Sequence, residues 1–193
     1  MTATTAAARP IINSTFVSLD GVINHMETWH FAYVDDESDA LALEQVVTGG
    51  AILMGRKTYE VYAAAWPSMQ GPVADLLNRM PKYVVSTTLT DPTWPPTTVI
   101  ASDPIERIRA MREEPGDPIL MHGFGPLAKE LLREGLLDEL HLWMHPVLAG
   151  VGEPEDVLLT PGLNVTLTHT GTRALSSGVV LLSYRAPTRD RSR

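Results

Sequence analysis

The amino-acid sequence predicts an α/β fold built on a mixed, mostly parallel central sheet. Short apolar runs typical of buried strands alternate with amphipathic stretches through the first two thirds of the chain, a pattern typical of parallel strands joined by helices. In the last third, three strand-like runs follow one another without a helix of any length. Antiparallel strands are therefore expected to complete the sheet at its C-terminal end.

The predicted elements follow from these patterns in chain order. Residues 11–18 form the first expected strand, and a helix capped by Asp35 and Asp36 is expected to run to about Val47. The later strands are expected at 51–54, 83–87, 97–100, 119–121, 139–147, 164–172 and 179–185. The later helices are expected from Arg56, in the stretch before 83, at 104–113 and at 126–134.

Length, charge and composition limit the possible functions. A chain of 193 residues with 44% hydrophobic content can bury one sizeable core, so we expect one domain over 11–186 between disordered tails at 1–10 and 187–193. A net charge of −8 disfavours nucleic acid and anionic membranes as partners. The chain lacks cysteine, an apolar leader and long apolar runs, so a cytoplasmic protein without disulfides or thiolate zinc sites is expected.

Two segments near the first strand are candidates for ligand contact. Asp20-Gly21 supplies turn chemistry directly after the strand. The loop that follows is long for a connection and is rich in aromatic side chains, including Trp29, His30 and Tyr33. Long loops inside compact domains often bind ligands, so this loop is predicted to form one wall of a pocket.

The junction at Gly55 is the first candidate phosphate site. A buried strand passes through this glycine into a helix whose first turn carries Arg56, Lys57 and Thr58. The helix dipole disfavours cations there by roughly 0.3–1 kcal/mol each, and a bound anion would offset that cost through free N–H groups and the guanidinium. The alternative is an ordinary strand-helix junction with solvated charges.

A second glycine loop and a hydroxyl-rich strand end extend this pattern. The loop after the 119–121 strand consists of Gly123, Phe124, Gly125, Pro126 and Leu127. Its glycines let a diphosphate approach backbone donors, and proline is suited to the first position of a helix. Ser86 and Thr87 end the 83–87 strand. Three such strand ends favour a long anionic dinucleotide, although each alone is weak evidence.

Metal and hydrolytic chemistry are disfavoured. His141 and His145 are four residues apart on a predicted strand, which separates them by roughly 13 Å at about 3.3 Å per residue, so they cannot chelate one ion. No metal site is predicted, and the chain has no Gly-x-Ser-x-Gly motif. Hydride transfer remains, because the cofactor carries its chemistry and the protein mainly provides orientation.

The chain also resembles a known family through four sequence motifs that occur in order. These are SLDGVI at 18–23, MGRKTY at 54–59, GLLDEL at 135–140 and HPVLAG at 145–150. They resemble the dihydrofolate-reductase-like proteins grouped with the C-terminal reductase domain of the bifunctional riboflavin-biosynthesis enzyme RibD, over roughly 11–185. The resemblance implies a three-layer αβα dihydrofolate-reductase-like fold, NADPH as cofactor and commonly a homodimer.

The resemblance also implies roles for individual positions. Gly55, Arg56, Lys57 and Thr58, with Ser86 and Thr87, would hold the adenosine side of NADPH and its 2′-phosphate. Residues 123–127 would hold the diphosphate, and the Asp20-Gly21 loop would border the nicotinamide. Preference for NADPH over NADH would rest on Arg56. Asp138 and Glu139 would serve structure at the start of the next strand.

The substrate and the proton donor remain open at this level. An NADPH-dependent reductase of a pyrimidine- or pteridine-like substrate is the leading hypothesis, with the riboflavin-pathway ribosylaminouracil as one candidate. His122 stands where aminouracil reductases tend to have an acidic residue, and Asp39 lies at a suitable separation before Gly55 for a pterin-binding acid, in competition with Asp36 and Glu37. Asp39, His122 or a water would supply the proton. The alternatives are dihydrofolate-reductase-like activity, a non-catalytic homodimer that binds NADPH or another small molecule, and a phosphate-recognising regulatory module.

Overall fold

An eight-stranded sheet forms the centre of the molecule in the computed structural model, which describes residues 8–158 and 161–187. The strands are β1 (Ile11–Ser18), β2 (Ala51–Gly55), β3 (Lys82–Val85), β4 (Thr97–Ile100), β5 (Ile119–His122), β6 (Glu139–His145), β7 (Thr168–Ala174) and β8 (Val180–Arg185). Their order across the sheet is β4-β3-β2-β5-β1-β6-β8-β7.

Strand directions confirm the predicted mixed sheet. All neighbouring pairs from β4 to β6 are parallel, whereas β8 pairs antiparallel with both β6 and β7. Parallel strands need crossover connections, and helices make most of them here, as the strand-helix alternation predicted. The carboxyl ends of six parallel strands therefore open on one edge of the sheet.

Six α-helices occur among the described residues, and they cover both faces of the sheet. They are α1 (Met26–Trp29), α2 (Asp36–Val46), α3 (Arg56–Ala65), α4 (Pro72–Arg79), α5 (Pro104–Glu113) and α6 (Pro126–Arg133). One face packs a core against α5 and α6, and the other packs against α2, α3 and α4. This is the predicted three-layer αβα arrangement.

The caps explain why α2 begins where it does. The Asp35 side chain accepts a hydrogen bond from the Ser38 backbone N–H at 2.8 Å. In return, the Ser38 hydroxyl oxygen accepts a hydrogen bond from the Asp35 backbone N–H at 2.9 Å. This reciprocal capping satisfies two donors that a helix start leaves free. Asp36 is the first residue of the helix rather than a cap.

Predicted boundaries are wrong for three strands. The 139–147 strand ends at His145, because Pro146 has no N–H to donate and the Val147 N–H donates back to the His145 carbonyl oxygen at 2.8 Å. The 164–172 strand is observed only from Thr168, because Val165 and Leu167 turn their apolar side chains onto the core instead of pairing with β8. The 83–87 strand ends at Val85. Beyond it, the Ser86 hydroxyl accepts the backbone N–H groups of Thr88 and Leu89 in a turn.

The predicted tails lie largely outside the described residues. Within the first of them, Arg9 is buried and ordered. Its backbone N–H donates to the Arg112 carbonyl at 2.7 Å, and its Nε donates to the Asp117 carbonyl at 2.7 Å. In the parts of the chain that are described, no helix has the length and apolar character needed to cross a membrane.

A buried lysine anchors the edge of the sheet that carries β3 and β4. Lys82 is 1% exposed, and its Nζ donates to the carbonyl oxygens of Asn78, Met80 and Pro95 at 2.8, 2.9 and 3.2 Å. The same ammonium lies 4.2 Å from the centroid of the Trp94 ring. All three N–H donors of Lys82 are thus matched to acceptors, which is the condition under which a buried charge is tolerated.

Replacing Lys82 by Met is expected to destabilise the fold by roughly 2–4 kcal/mol, because three carbonyl groups lose a charged donor inside the protein. Urea unfolding followed by circular dichroism measures the change. Arg79→Met removes a charge from an exposed position at the end of α4 and should change the free energy of unfolding by less than about 0.5 kcal/mol. Equal effects of the two substitutions would contradict the anchoring role.

Candidate functional site

The predicted site residues gather at the carboxyl edge of the parallel strands. Gly55 ends β2, Ser86 follows β3, and the loop at 123–127 follows β5. Ser18 and His145 end β1 and β6 at the same edge. In open α/β sheets, ligands bind outside the carboxyl ends of the strands, so this edge is the candidate site.

The start of α3 places a cation beside the end of β3. Arg56 is the first residue of α3, directly after the cap residue Gly55. Its Nε donates to Glu60 Oε1 at 2.6 Å, and its Nη1 donates to the Thr88 hydroxyl. The Arg56 guanidinium is therefore held near the turn after β3, with its charge partly balanced by Glu60. Lys57, the next residue, is exposed.

The hydroxyl groups after β3 differ in their surroundings. Ser86 is 8% exposed, and its oxygen accepts the backbone N–H groups of Thr88 and Leu89 at 3.2 and 3.0 Å. Ser86 thus orders the turn, while Thr87 is exposed at the surface. Any ligand contact at this strand end would come more readily from Thr87, Thr88 and the backbone than from the Ser86 side chain.

The glycine loop after β5 is tied to β1 by two hydrogen bonds. The buried Asn13 amide donates to the Gly123 carbonyl at 2.7 Å, and the Gly123 N–H donates to the Ser14 carbonyl at 3.1 Å. Gly123 has φ +77°, a conformation that other residues rarely adopt. A Cβ on Gly123 would lie 3.8 Å from the Thr58 hydroxyl oxygen. The two predicted glycine loops are therefore neighbours in space.

The remaining residues of this loop divide between the core and the surface. Phe124 is 4% exposed and packs into the core beneath α6, so only its backbone could reach a ligand. Gly125 caps α6, and Pro126 is the first residue of that helix. Both are exposed. Leu127 is partly buried against the same core.

His122, at the end of β5, is half-buried and pairs with Tyr62 of α3. The Tyr62 hydroxyl lies 2.9 Å from His122 Nδ1, and burial lowers the pKa of His122 to about 4. Burial also raises the pKa of Tyr62. At neutral pH the pair therefore consists of a protonated Tyr62 and a neutral His122, and a neutral imidazole is a poor source of a proton.

The exposed carboxylate of Asp20 joins its own turn to the segment after β6. Its carboxylate accepts the backbone N–H groups of Ala149 and Gly150 at 3.0 and 2.8 Å, together with the Ser18 hydroxyl. The hydrogen bond from Ser18, followed by those from Gly150 and Ala149, lowers the pKa of Asp20 to about 2. The Asp20-Gly21 turn, in which Gly21 has φ +86°, is thereby joined to the segment after β6.

An aromatic cleft lies between α2 and the carboxyl ends of β1 and β6. The side chains that line it are those of Phe16, His30, Tyr33, Val34, Ser38, Asp39, Ala42, Trp143, His145 and Val179. His30 and Tyr33 of the predicted aromatic loop line this cleft, whereas Trp29 packs against His145 and does not line it. The sequence did not predict that Phe16, Trp143 and His145 line the cleft. The alternation of side chains along a strand does not show which of them contact a distant loop.

Two histidines are hydrogen-bonded to each other at this cleft. His30 Nδ1 lies 2.9 Å from His145 Nε2, and His145 Nδ1 lies 2.9 Å from the Trp143 carbonyl oxygen. The Phe16 ring stacks on His30 with centroids 4.0 Å apart. Burial, and then the neighbouring His145, lower the pKa of His30 to about 4. Burial also lowers the pKa of His145.

The two predicted proton donors do not meet. Asp39 is exposed and lines the aromatic cleft, whereas His122 is paired with Tyr62. Within residues 8–158 and 161–187, no hydrogen bond joins Asp39 to His122, and no three His, Asp or Glu side chains are grouped closely enough to hold a metal ion. Asp138, expected to be structural, accepts the Ile11 N–H at 2.7 Å and pairs with Arg112 at 2.6 Å.

Comparison with known proteins identifies relatives over almost the whole chain. The model of the RibD C-terminal domain matches residues 9–181. The uncharacterised protein YyaP of Bacillus subtilis (strain 168) is 30% identical over 186 residues, which cover 91% of this chain and 94% of that protein.

Solved structures with similar folds agree with this match. A pyrimidine reductase-like protein of Corynebacterium diphtheriae has a TM-score of 0.64 at 13% identity, covering 98% of this chain and 96% of that one. The deaminase/5-amino-6-(5-phosphoribosylamino)uracil reductase of Thermotoga maritima has a TM-score of 0.67 at 15% identity, covering 93% of this chain and 57% of that one. The fold is thus that of the RibD-like, dihydrofolate-reductase-like proteins, and the chain belongs to the RibD C-terminal domain family.

Proposed function

We propose that this protein is an NADPH-dependent reductase of a pyrimidine- or pteridine-like heterocycle. The observation that carries the proposal is that the glycine loops and the aromatic cleft open on the same edge of the sheet. The loop at 123–127 follows β5 and the cleft is built on β1 and β6, with β1 between the other two strands. Strands two places apart in a sheet are about 10 Å apart, so a cofactor on the loops can adjoin a substrate in the cleft.

The residues at the loops fit a dinucleotide phosphate. A Cβ added at Gly55 or Gly125 would meet no atom within 4 Å, so a ligand can approach the backbone at both helix starts, where free N–H groups bind phosphate. Arg56, with Lys57, Thr58, Thr87 and the backbone of Ser86 nearby, would hold the adenosine side and its 2′-phosphate. Residues 123–127 would hold the diphosphate through their backbone, because the side chain of Phe124 is buried in the core.

The other half of the site is suited to a flat, polar ring. When bound, NADPH supplies the hydride. Phe16, Tyr33 and Trp143 would pack against a heterocycle and exclude water, while the Asp39 carboxylate at the cleft would orient a ring N–H or a proton-donating water. His122, held neutral by burial and bonded to Tyr62, would position groups at the end of β5 rather than donate a proton.

The relatives suggest the class of substrate and the biological setting. The names of two similar structures specify pyrimidine or aminouracil reductases, which supports an aminouracil of riboflavin biosynthesis as the first substrate to test and a pteridine as the second. We also propose a cytoplasmic homodimer. The edge strand β7 has six exposed residues out of seven, and an unpaired edge of this kind can accept a second copy.

Arg56→Ala tests the cofactor assignment. Loss of a charged contact to the 2′-phosphate should weaken NADPH binding roughly 10- to 100-fold, since hydrogen bonds to charged groups contribute about 1.5–3 kcal/mol, and should change NADH binding little. Titration followed by nicotinamide fluorescence measures both dissociation constants. Arg173→Ala is the matched control, because Arg173 is similarly exposed and is paired with Glu44 on another part of the surface. Equal weakening of NADPH and NADH by Arg56→Ala would refute the assignment.

Glu60→Gln should have the opposite effect. The Glu60 carboxylate is bonded to Arg56 Nε and competes with a phosphate for the guanidinium. Its neutralisation should tighten NADPH binding by about two- to fivefold, the range expected for an exposed ion pair of up to about 1 kcal/mol. The same titration applies, with Glu44→Gln, which removes the partner of Arg173, as the control. Weaker NADPH binding by the Glu60→Gln variant would show that Glu60 contributes to cofactor binding instead of competing with it.

Asp39→Asn tests the reductase reaction itself. With a pyrimidine or pteridine that the protein reduces, kcat/KM should fall at least about tenfold, because an ionisable group that assists proton transfer is lost. The dissociation constant for NADPH should not change. Asp36→Asn is the control, since Asp36 is an exposed carboxylate in the same helical turn that does not line the cleft. If NADPH is oxidised with none of these heterocycles, the reductase proposal is wrong and the alternative of a non-catalytic binding protein remains.

A further inference from the structure

The hydrogen bonds at the cleft determine which ring nitrogen of each histidine carries a proton. The Trp143 carbonyl oxygen can only accept, so His145 Nδ1, 2.9 Å away, must be the donor. A neutral His145 then has its lone pair on Nε2, and His30 Nδ1 at 2.9 Å must donate to it. His30 therefore carries its proton on Nδ1, and its Nε2 is an acceptor.

Packing holds this arrangement in place. Phe16 stacks on one face of His30 at 4.0 Å, and the Trp29 and Tyr33 rings lie edge-on to His145 at 5.0 and 5.5 Å. His145 is 1% exposed. Because the aromatic shell leaves little water around the pair, the charged form of His30 is disfavoured.

Because Nδ1 of His30 is engaged by His145, Nε2 is the ring nitrogen of His30 that is left to bond a bound molecule. Among the described residues, no protein group pairs with His30 Nε2, and His30 lines the cleft together with Asp39. A lone pair at this position attracts an N–H and repels a carbonyl oxygen or an unprotonated ring nitrogen. Such a site can reject an analogue that lacks the donor much more strongly than it rejects a change of shape.

We propose that His30 is a specificity-determining residue whose Nε2 accepts a ring N–H of the heterocyclic substrate, and that His145 is a positioning residue that fixes the tautomer of His30. This inference rests on the proposed function, because the cleft is the substrate half of that site. It narrows the substrate class to uracil-like or pterin-like rings with an unsubstituted ring N–H. Rings alkylated at those nitrogens should bind more weakly.

Imidazole ¹⁵N NMR of the full chain tests the tautomers without any ligand. We expect protonated Nδ1 and unprotonated Nε2 for both His30 and His145 at neutral pH. In His145→Phe, which keeps an aromatic ring but removes the acceptor, the His30 signals should shift toward a mixture of tautomers. His169→Ala, at an exposed position on β7, should leave them unchanged. An Nε2-protonated His30 in the wild-type protein overturns the proposal even if His145→Phe fails to fold.

Binding of two matched probes tests the specificity. The probes are 5,6-diaminouracil, which has ring N–H groups, and its 1,3-dimethyl derivative, which has none. We expect 5,6-diaminouracil to bind at least about tenfold more tightly, the usual cost of leaving a buried acceptor unpaired, and to shift the His30 Nε2 signal. His30→Phe, which keeps the stacking surface, should bind both probes equally. Equal binding by the wild type, binding of neither probe, or an unmoved His30 signal overturns the proposal.

These measurements are made without NADPH, so the two proposals can fail separately. Discrimination between the probes without NADPH binding would refute the reductase but retain the role of His30. Tight NADPH binding without discrimination between the probes would refute the role of His30 but retain the cofactor site.

Discussion

The hydrogen bond from the buried Asn13 amide to the Gly123 carbonyl oxygen is the contact on which the proposed site depends. Together with the bond from Gly123 N–H to Ser14, it fixes the glycine loop to the central strand β1. The same strand carries Phe16 into the aromatic cleft. The loop and the cleft are therefore held in a fixed position relative to each other. A reductase needs such a fixed distance between its cofactor and its substrate.

Charge is distributed unevenly in a way that favours an anionic cofactor. The protein carries −8 overall, yet Arg56 and Lys57 occupy the first turn of α3, where no acidic residue is present. A helix start already favours negative charge, so it disfavours cations unless an anion joins them. Glu60 partly balances Arg56 one turn later. The cleft is different, because its paired histidines are kept neutral by burial, which suits an uncharged ring.

Sequence patterns predicted the architecture well because strands and helices follow from local periodicity. They predicted the sheet, its antiparallel end and the two glycine loops. In the structure these loops are neighbours, since Gly123 lies beside Thr58. They could not show that Phe124 turns into the core or that the Asp20 carboxylate is bonded to Ala149 and Gly150. These contacts join residues distant in the chain. For the same reason the His30–His145 pair, 115 residues apart, has no local pattern.

A crystal structure with NADP⁺ and 5,6-diaminouracil tests the central claim most directly, namely that the glycine loops and the aromatic cleft are two halves of one site. We predict that the dinucleotide lies along residues 123–127 and beside Arg56, with the pyrimidine between α2 and Phe16. The nicotinamide should then face the pyrimidine. A dinucleotide bound elsewhere, or a pyrimidine outside the cleft, would contradict the claim.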